Sequence, residues 1–242
     1  MRQAGLTCDS KFRYLYSASC VGQDAVLNPR PIANIHVMHH FFPTDLTMIN
    51  TDDISNFWSW FKTNSNDLQS NKYPNDKLDE LDRKIMNFGL RWEVGPGKTK
   101  ENSFTISPNG DTEKIELTKD FIRLSPTLDS WEFYNFKRPK LNWDKLELPE
   151  DNINITADKW TYTLLKYKDG IKEILIKGDS LNAIDPDLKL IVAETVLTNL
   201  IGEERMMTEL DFVHVLSPDD NTFDLRDIKE LVGHLDYIKN GA

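Results

Sequence analysis

From Ile54 onward the apolar positions follow two periods. Ile54, Phe57, Trp58, Phe61 and Leu68 recur at helical spacing, and Leu78, Leu81, Ile85 and Phe88 repeat it, predicting helices over about 53–68 and 75–88. Gly89 is placed to end the second helix as a left-handed cap. Leu90, Trp92 and Val94 then alternate as a strand, and Phe104 and Ile106 suggest its return after the turn at 95–100. Asn109-Gly110-Asp111 starts a helix carrying Ile115, Leu117, Phe121, Ile122 and Leu124 up to Pro126, and Trp131 to Phe136 reads as a further strand.

Residues 138–158 are rich in Asn, Asp and Pro and read as a loop, after which the order of elements repeats. Trp160 to Tyr167 and Ile171 to Lys177 flank Asp169-Gly170, a two-residue hairpin signal. Asp185-Pro186 opens a helix over about 187–200 that is apolar almost all round, hence buried, and Gly202 closes it. Met206 to Leu216 is predicted as a strand and Asp224 to Lys239 as the last helix. The fold class is therefore α+β: two pseudo-duplicated ββαβ halves, about 90–137 and 160–216, forming mainly antiparallel sheet. Two helices precede them and one follows.

The first 47 residues break this regularity. They hold both cysteines, Cys8 and Cys20, and three of the five histidines, while Pro29, Pro31 and Pro43 interrupt their apolar runs. They carry four basic and three acidic side chains, so the net charge of −10 lies almost wholly beyond them. Residues 1–47 are expected to be a poorly structured extension, with one domain over 48–242 and a natural start at Met48 followed by helix-capping residues.

The acidic balance argues against sequence-independent binding to nucleic acid or to anionic membranes. No run of eighteen apolar residues is present and the N-terminus lacks the pattern of a secretory signal, so the cytoplasm is the expected compartment. Lys137-Arg138-Pro139-Lys140, the densest basic cluster, reads as a solvated turn.

Candidate chemistry is sparse. Gly95-Pro96-Gly97-Lys98-Thr99 ends like a phosphate-binding loop, but Trp92 stands where that loop needs its first glycine and a strand follows, so it reads as a hairpin turn. His36, His39 and His40 with Cys8 and Cys20 lack a second paired-ligand motif, and neither a metal nor a cofactor is assigned. His214 reads as a sheet histidine and His234 as part of the polar side of the last helix. Among the acids, Glu194 in the buried helix and Glu203 after Gly202 stand out, the plainer reading being an exposed face and a solvated turn. With Asp211 they are the candidates for a hydrolase using dispersed carboxylates. The aromatic surplus is the more unusual feature: Trp60 points away from the face shared by Phe57, Trp58 and Phe61, and rings fall on both faces of 131–136. Trp60, Trp131 and Tyr134 are therefore the candidate anchors for a protein contact.

Three segments carry a resemblance: Phe57-Trp58-Ser59-Trp60-Phe61, Ser130-Trp131-Glu132-Phe133-Tyr134-Asn135-Phe136, and Leu200-Ile201-Gly202-Glu203. Through them, the part from Asp53 to the C-terminus resembles a widespread family of uncharacterised bacterial α+β proteins. The resemblance implies a bacterial cytoplasmic domain and no catalytic residue. The expected function is a non-enzymatic interaction, adaptor or immunity-type protein, with the hydrolase as the alternative.

Overall fold

A computed structural model describes residues 26–27, 50–69 and 76–240 of the chain. Asn50 caps helix α1 (Thr51–Asn64) by accepting a hydrogen bond from the Asp52 amide, and Asp52 and Asp53 sit where the helix dipole favours negative charge. After α2 (Asp76–Met86) come strands β2 (Arg91–Pro96) and β3 (Asn102–Ser107), helix α3 (Ile115–Arg123) and strand β4 (Trp131–Tyr134). The two residues Val26–Leu27 form β1, antiparallel to β2 at the edge of this sheet, whose order is β1-β2-β3-β4. The rest of the expected N-terminal extension, including its histidines and cysteines, lies outside the described residues.

The second half contains strands β7 (Thr161–Lys166) and β8 (Lys172–Lys177), helices α4 (Pro186–Ile201) and α5 (Glu203–Glu209), and strand β9 (Phe212–Val215). A short strand, β10 (Arg226–Asp227), precedes the final helix α6 (Leu231–Lys239), and the sheet order is β10-β7-β8-β9. The fold is α+β, and the two sheets share one plan. β2 and β3 pair antiparallel from Arg91↔Ser107 to Pro96↔Asn102, as β7 and β8 do from Thr161↔Lys177 to Lys166↔Lys172. In both halves a helical connection then returns the chain to lie parallel to the second hairpin strand, β4 on β3 and β9 on β8. By register Ser103 corresponds to Glu173, Thr105 to Leu175, Glu132 to Phe212 and Tyr134 to His214.

Each sheet has its own core. In the first half Phe57, Trp58 and Phe61 of α1 meet Phe104, Phe121 and Trp131, with ring centroids 4.8 Å apart for Phe61–Phe104 and 5.1 Å for Phe61–Trp131. The aromatic surplus of the sequence is spent here, each close pair adding about 0.5–1.5 kcal/mol beyond burial. The second core is mostly aliphatic: Ile174, Ile176, Val192, Val196 and Leu197 pack with Trp160 and Tyr162.

Several sequence expectations need correction. The stretch 138–158 is not all loop: β5 (Lys145–Leu148) and β6 (Ile153–Thr156) form a separate hairpin whose Leu146, Leu148, Ile153 and Ile155 enter the second core. The strand expected from Met206 begins only at Phe212. Residues 203–209 are helical, with Glu203 and Glu204 at the N-terminus and an Arg205–Glu209 pair one turn apart. The hairpin at Asp169-Gly170 has a longer loop than two residues, because Tyr167 donates to the Ile171 carbonyl and Gly170 takes φ +95°. The last helix starts at Leu231, after β10 and a 3-10 turn.

Candidate functional site

The face of each sheet turned away from its core is where the halves differ. On the first sheet the outward positions are polar, Glu93, Ser103, Thr105 and Ser107, yet all are buried. What covers them is the segment after β4 together with the start of α5. The Lys140 ammonium lies 3.2 Å from Glu93, and its amide donates to the Asn199 carbonyl at 2.7 Å. Arg138 stacks over Tyr134 at 4.0 Å and reaches the Tyr134 hydroxyl at 3.1 Å. The Lys137–Lys140 cluster is thus a strap between the halves and not a solvated turn.

Glu203 closes the strap. It is 3% exposed, not in a solvated turn: its carboxylate accepts from the Ser107 hydroxyl at 2.6 Å and the Lys137 amide at 3.0 Å, while its own amide donates to the Lys137 carbonyl. Gly202 beside it has φ +84°, and a Cβ there would stand 2.9 Å from the Pro139 ring, so only glycine lets the strap lie this close. Both Glu203 oxygens are occupied by the first half, one by Ser107 and the other by Lys137.

Glu132, on the outward side of β4, fills the Gly97-Lys98-Thr99 turn. Its carboxylate accepts from the amides of Lys98 (2.7 Å), Thr99 (2.5 Å) and Lys100 (2.9 Å), and from the Thr99 and Tyr134 hydroxyls. Burial pushes the acid's pKa up, but these donors outweigh it and hold the carboxyl well below the usual carboxylate range. The phosphate-loop-like segment is a hairpin turn whose amides converge on an anion, and that anion is the protein's own side chain.

On the second sheet the equivalent face is open along β9, although Leu175 at its centre is buried. Register places Leu165, Glu173 and Phe212 in one row and Thr163, Leu175 and His214 in the next. Phe212 is 37% exposed, His214 and Tyr167 are exposed, and Leu165 and Leu216 are half-buried. The Tyr167 hydroxyl donates to Glu173 at 3.0 Å, and His214 Nε2 lies 3.8 Å from the same carboxylate. Asp169 and Asp211 lie at one end of these rows. At the other end, the Asp220 carbonyl and Asn221 accept from the Lys177 ammonium.

The sequence candidates are scattered. Trp60 is half-buried on α1 with the Lys84 ammonium 5.1 Å above its ring. Trp131 is 1% exposed and belongs to the first core, so it offers no surface; β4 turns it inward and Tyr134 outward. Tyr134 is held beneath Arg138. Among the acids, Glu194 is partly buried rather than on an exposed face: its Oε2 has no partner, and burial raises its pKa to about 7. Asp211 is exposed and caps the hairpin end, accepting from the Lys172 amide at 2.8 Å. No hydrogen bond or ion pair joins Glu194, Glu203 and Asp211. His234, expected on the polar side of its helix, shares a 2.9 Å hydrogen bond with the Tyr162 hydroxyl. Sequence reasoning missed Phe212 and Tyr167, although Phe212, His214 and Leu216 alternate out of phase with Val213 and Val215.

No group of three or more metal-ligating side chains occurs among the described residues, and none of their helices is long and apolar enough to cross a membrane. The chain matches no family model, no curated protein and no solved structure.

Proposed function

We propose that the protein is a non-enzymatic, cytoplasmic interaction protein of the adaptor or immunity type, and that its partner is a basic protein seated on the outer face of the second sheet. The observation that carries this reading is the contrast between the third strands of the two sheets: Glu132 and Tyr134 of β4 are half-buried and tied down by the 98–100 turn and Arg138, while their register counterparts Phe212 and His214 of β9 are exposed. An exposed aromatic among half-buried leucines has the composition of an interface anchor. The charge supports the choice of partner, because the chain carries a net charge of −10 and exposed Asp169 and Asp211 lie at the hairpin end of this sheet. The resemblance to a bacterial family without assigned activity is compatible with such a role.

The test is native capture with the full chain and two variants, Phe212→Asp on the face and Leu141→Asp at a 94% exposed position elsewhere. A basic partner retained by the wild type and by Leu141→Asp, but lost by Phe212→Asp, supports the assignment. Capture unaffected by Phe212→Asp, or the absence of any basic partner, overturns it.

A further inference from the structure

The two halves also differ at the turn end of their core-facing sides. In the first half Pro96 and Asn102 pair at the last rung of the hairpin, and Trp131, opposite Asn102 on β4, plugs the end of the core. At the matching positions of the second half stand Lys166 and Lys172, paired directly across the strands, and Asp211 follows where the tryptophan would be. Without that plug the end of the second core is open: a depression of about 400 Å³ lies between the hairpin end, α5 and α6. Leu235 and Ile238 of α6 line it, and Thr208 and Lys239 border it.

The lysines are the anomaly. Like charges directly opposite on neighbouring strands destabilise a sheet, yet neither the Lys166 nor the Lys172 ammonium has a carboxylate partner among the described residues. Glu209, the one acid lining the depression, is already committed, accepting from Arg205 at 2.9 and 3.0 Å and from Lys239 at 3.3 Å. A cationic pair whose ammonium groups make no ion pair, set over an apolar floor, is suited to a ligand that is anionic at one end and apolar along its body.

We propose that this depression is a binding site for a small organic anion, a carboxylate on an apolar chain, with its charged group between Lys166 and Lys172 and its chain against Leu235 and Ile238. Lys166 and Lys172 face the core side of the sheet, opposite to Phe212, so the site is separate from the docking face.

Octanoate, 1-octanol and inorganic phosphate serve as probes, each titrated into the full chain while amide chemical shifts are followed by NMR. Octanoate is expected to give saturable shifts at Thr208, Leu235 and Ile238, with octanol and phosphate each binding far more weakly. Lys166→Gln and Lys172→Gln are each expected to weaken octanoate measurably, and the double variant by about tenfold, the loss of charge-assisted contacts. Lys119→Gln, on the distant α3, is expected to change nothing. Removing the lysines relieves repulsion, so the variants are expected to keep the wild-type melting temperature or exceed it at low salt. The proposal fails if octanoate gives no saturable shifts, if octanol or phosphate binds as well as octanoate, or if the well-folded double variant keeps its affinity.

Discussion

Glu194 is expected to be a destabilising residue at neutral and alkaline pH. It lies in α4, one oxygen is sealed from solvent without a hydrogen-bond partner, and burial raises its pKa to about 7 from an ordinary value of 4.5. Because the folded-state pKa is raised, the folded protein holds the proton more tightly than the unfolded chain. Stability is therefore highest below about pH 4.5 as far as this group is concerned, falls as pH rises, and levels off above about pH 7. The full shift would amount to about 3 kcal/mol. The group is partly solvated, however, and screening brings the expected cost to about 1–2 kcal/mol. Glu194→Gln keeps the shape and removes the titration. Thermal unfolding at pH 8.5 is expected to show the variant melting about 3–6 °C above the wild type, at roughly 2–4 °C per kcal/mol for a chain of this size. At pH 4.5 the two should melt within about 1 °C of each other. An equal difference at both pH values, or a variant less stable at pH 8.5, would refute the buried, unpartnered carboxylate as the cause.

Glu132 has the opposite sign: its depressed folded-state pKa contributes stability that is fully present above about pH 4.5 and lost as pH falls further. Glu132→Ala should flatten this acid limb and cost about 1–3 kcal/mol in urea unfolding at pH 7; an unchanged acid limb would show that the Lys98–Lys100 amides do not hold the carboxylate in solution. Glu203→Ala strips the acceptor from the buried Ser107 hydroxyl and the Lys137 amide, and should cost at least about 2 kcal/mol, lowering the melting temperature by roughly 4–8 °C. Because Glu203 ties the two halves together, its loss should also separate unfolding seen by far-ultraviolet circular dichroism from that seen by tryptophan fluorescence; coincident transitions near the wild-type temperature would remove it from the strap.

What could be read from the sequence was whatever depends on near neighbours. The hairpin strands around 91–107 and 161–177 and the helices at 51–64, 76–86 and 186–201 show their periods within a few residues, and the repeated order of elements follows from them. The strand pair at 145–156 was missed because each strand has only four residues and Pro149 and Asp151 stand between them. Residues 206–209 read as the start of a strand because Met206, Leu210 and Phe212 form an apolar run, whereas the Arg205–Glu209 pair that favours a helix is a weaker signal. Lys137–Lys140 and Glu203 were read as solvated because charge is usually exposed. The burial of Glu203 and its bond to the Lys137 amide arise from contacts between segments more than 60 positions apart, which no local window contains.

The same reasoning explains why the open face and the depression were invisible before the halves could be laid side by side. A residue such as Phe212 is unexceptional in a strand, and a lysine at a hairpin end is common. They become informative only when the register sets Phe212 against Glu132 and Lys172 against Asn102. In the first half Glu132 satisfies the turn amides, Trp131 fills the end of the core, and the strap covers the outer face. In the second half each of those three positions is left to something else: an exposed ring, an aspartate beside paired lysines, and solvent. Two copies of one plan, one closed on itself and the other open along β9 and at its core end, are the reason both proposed recognition surfaces fall in residues 160–239.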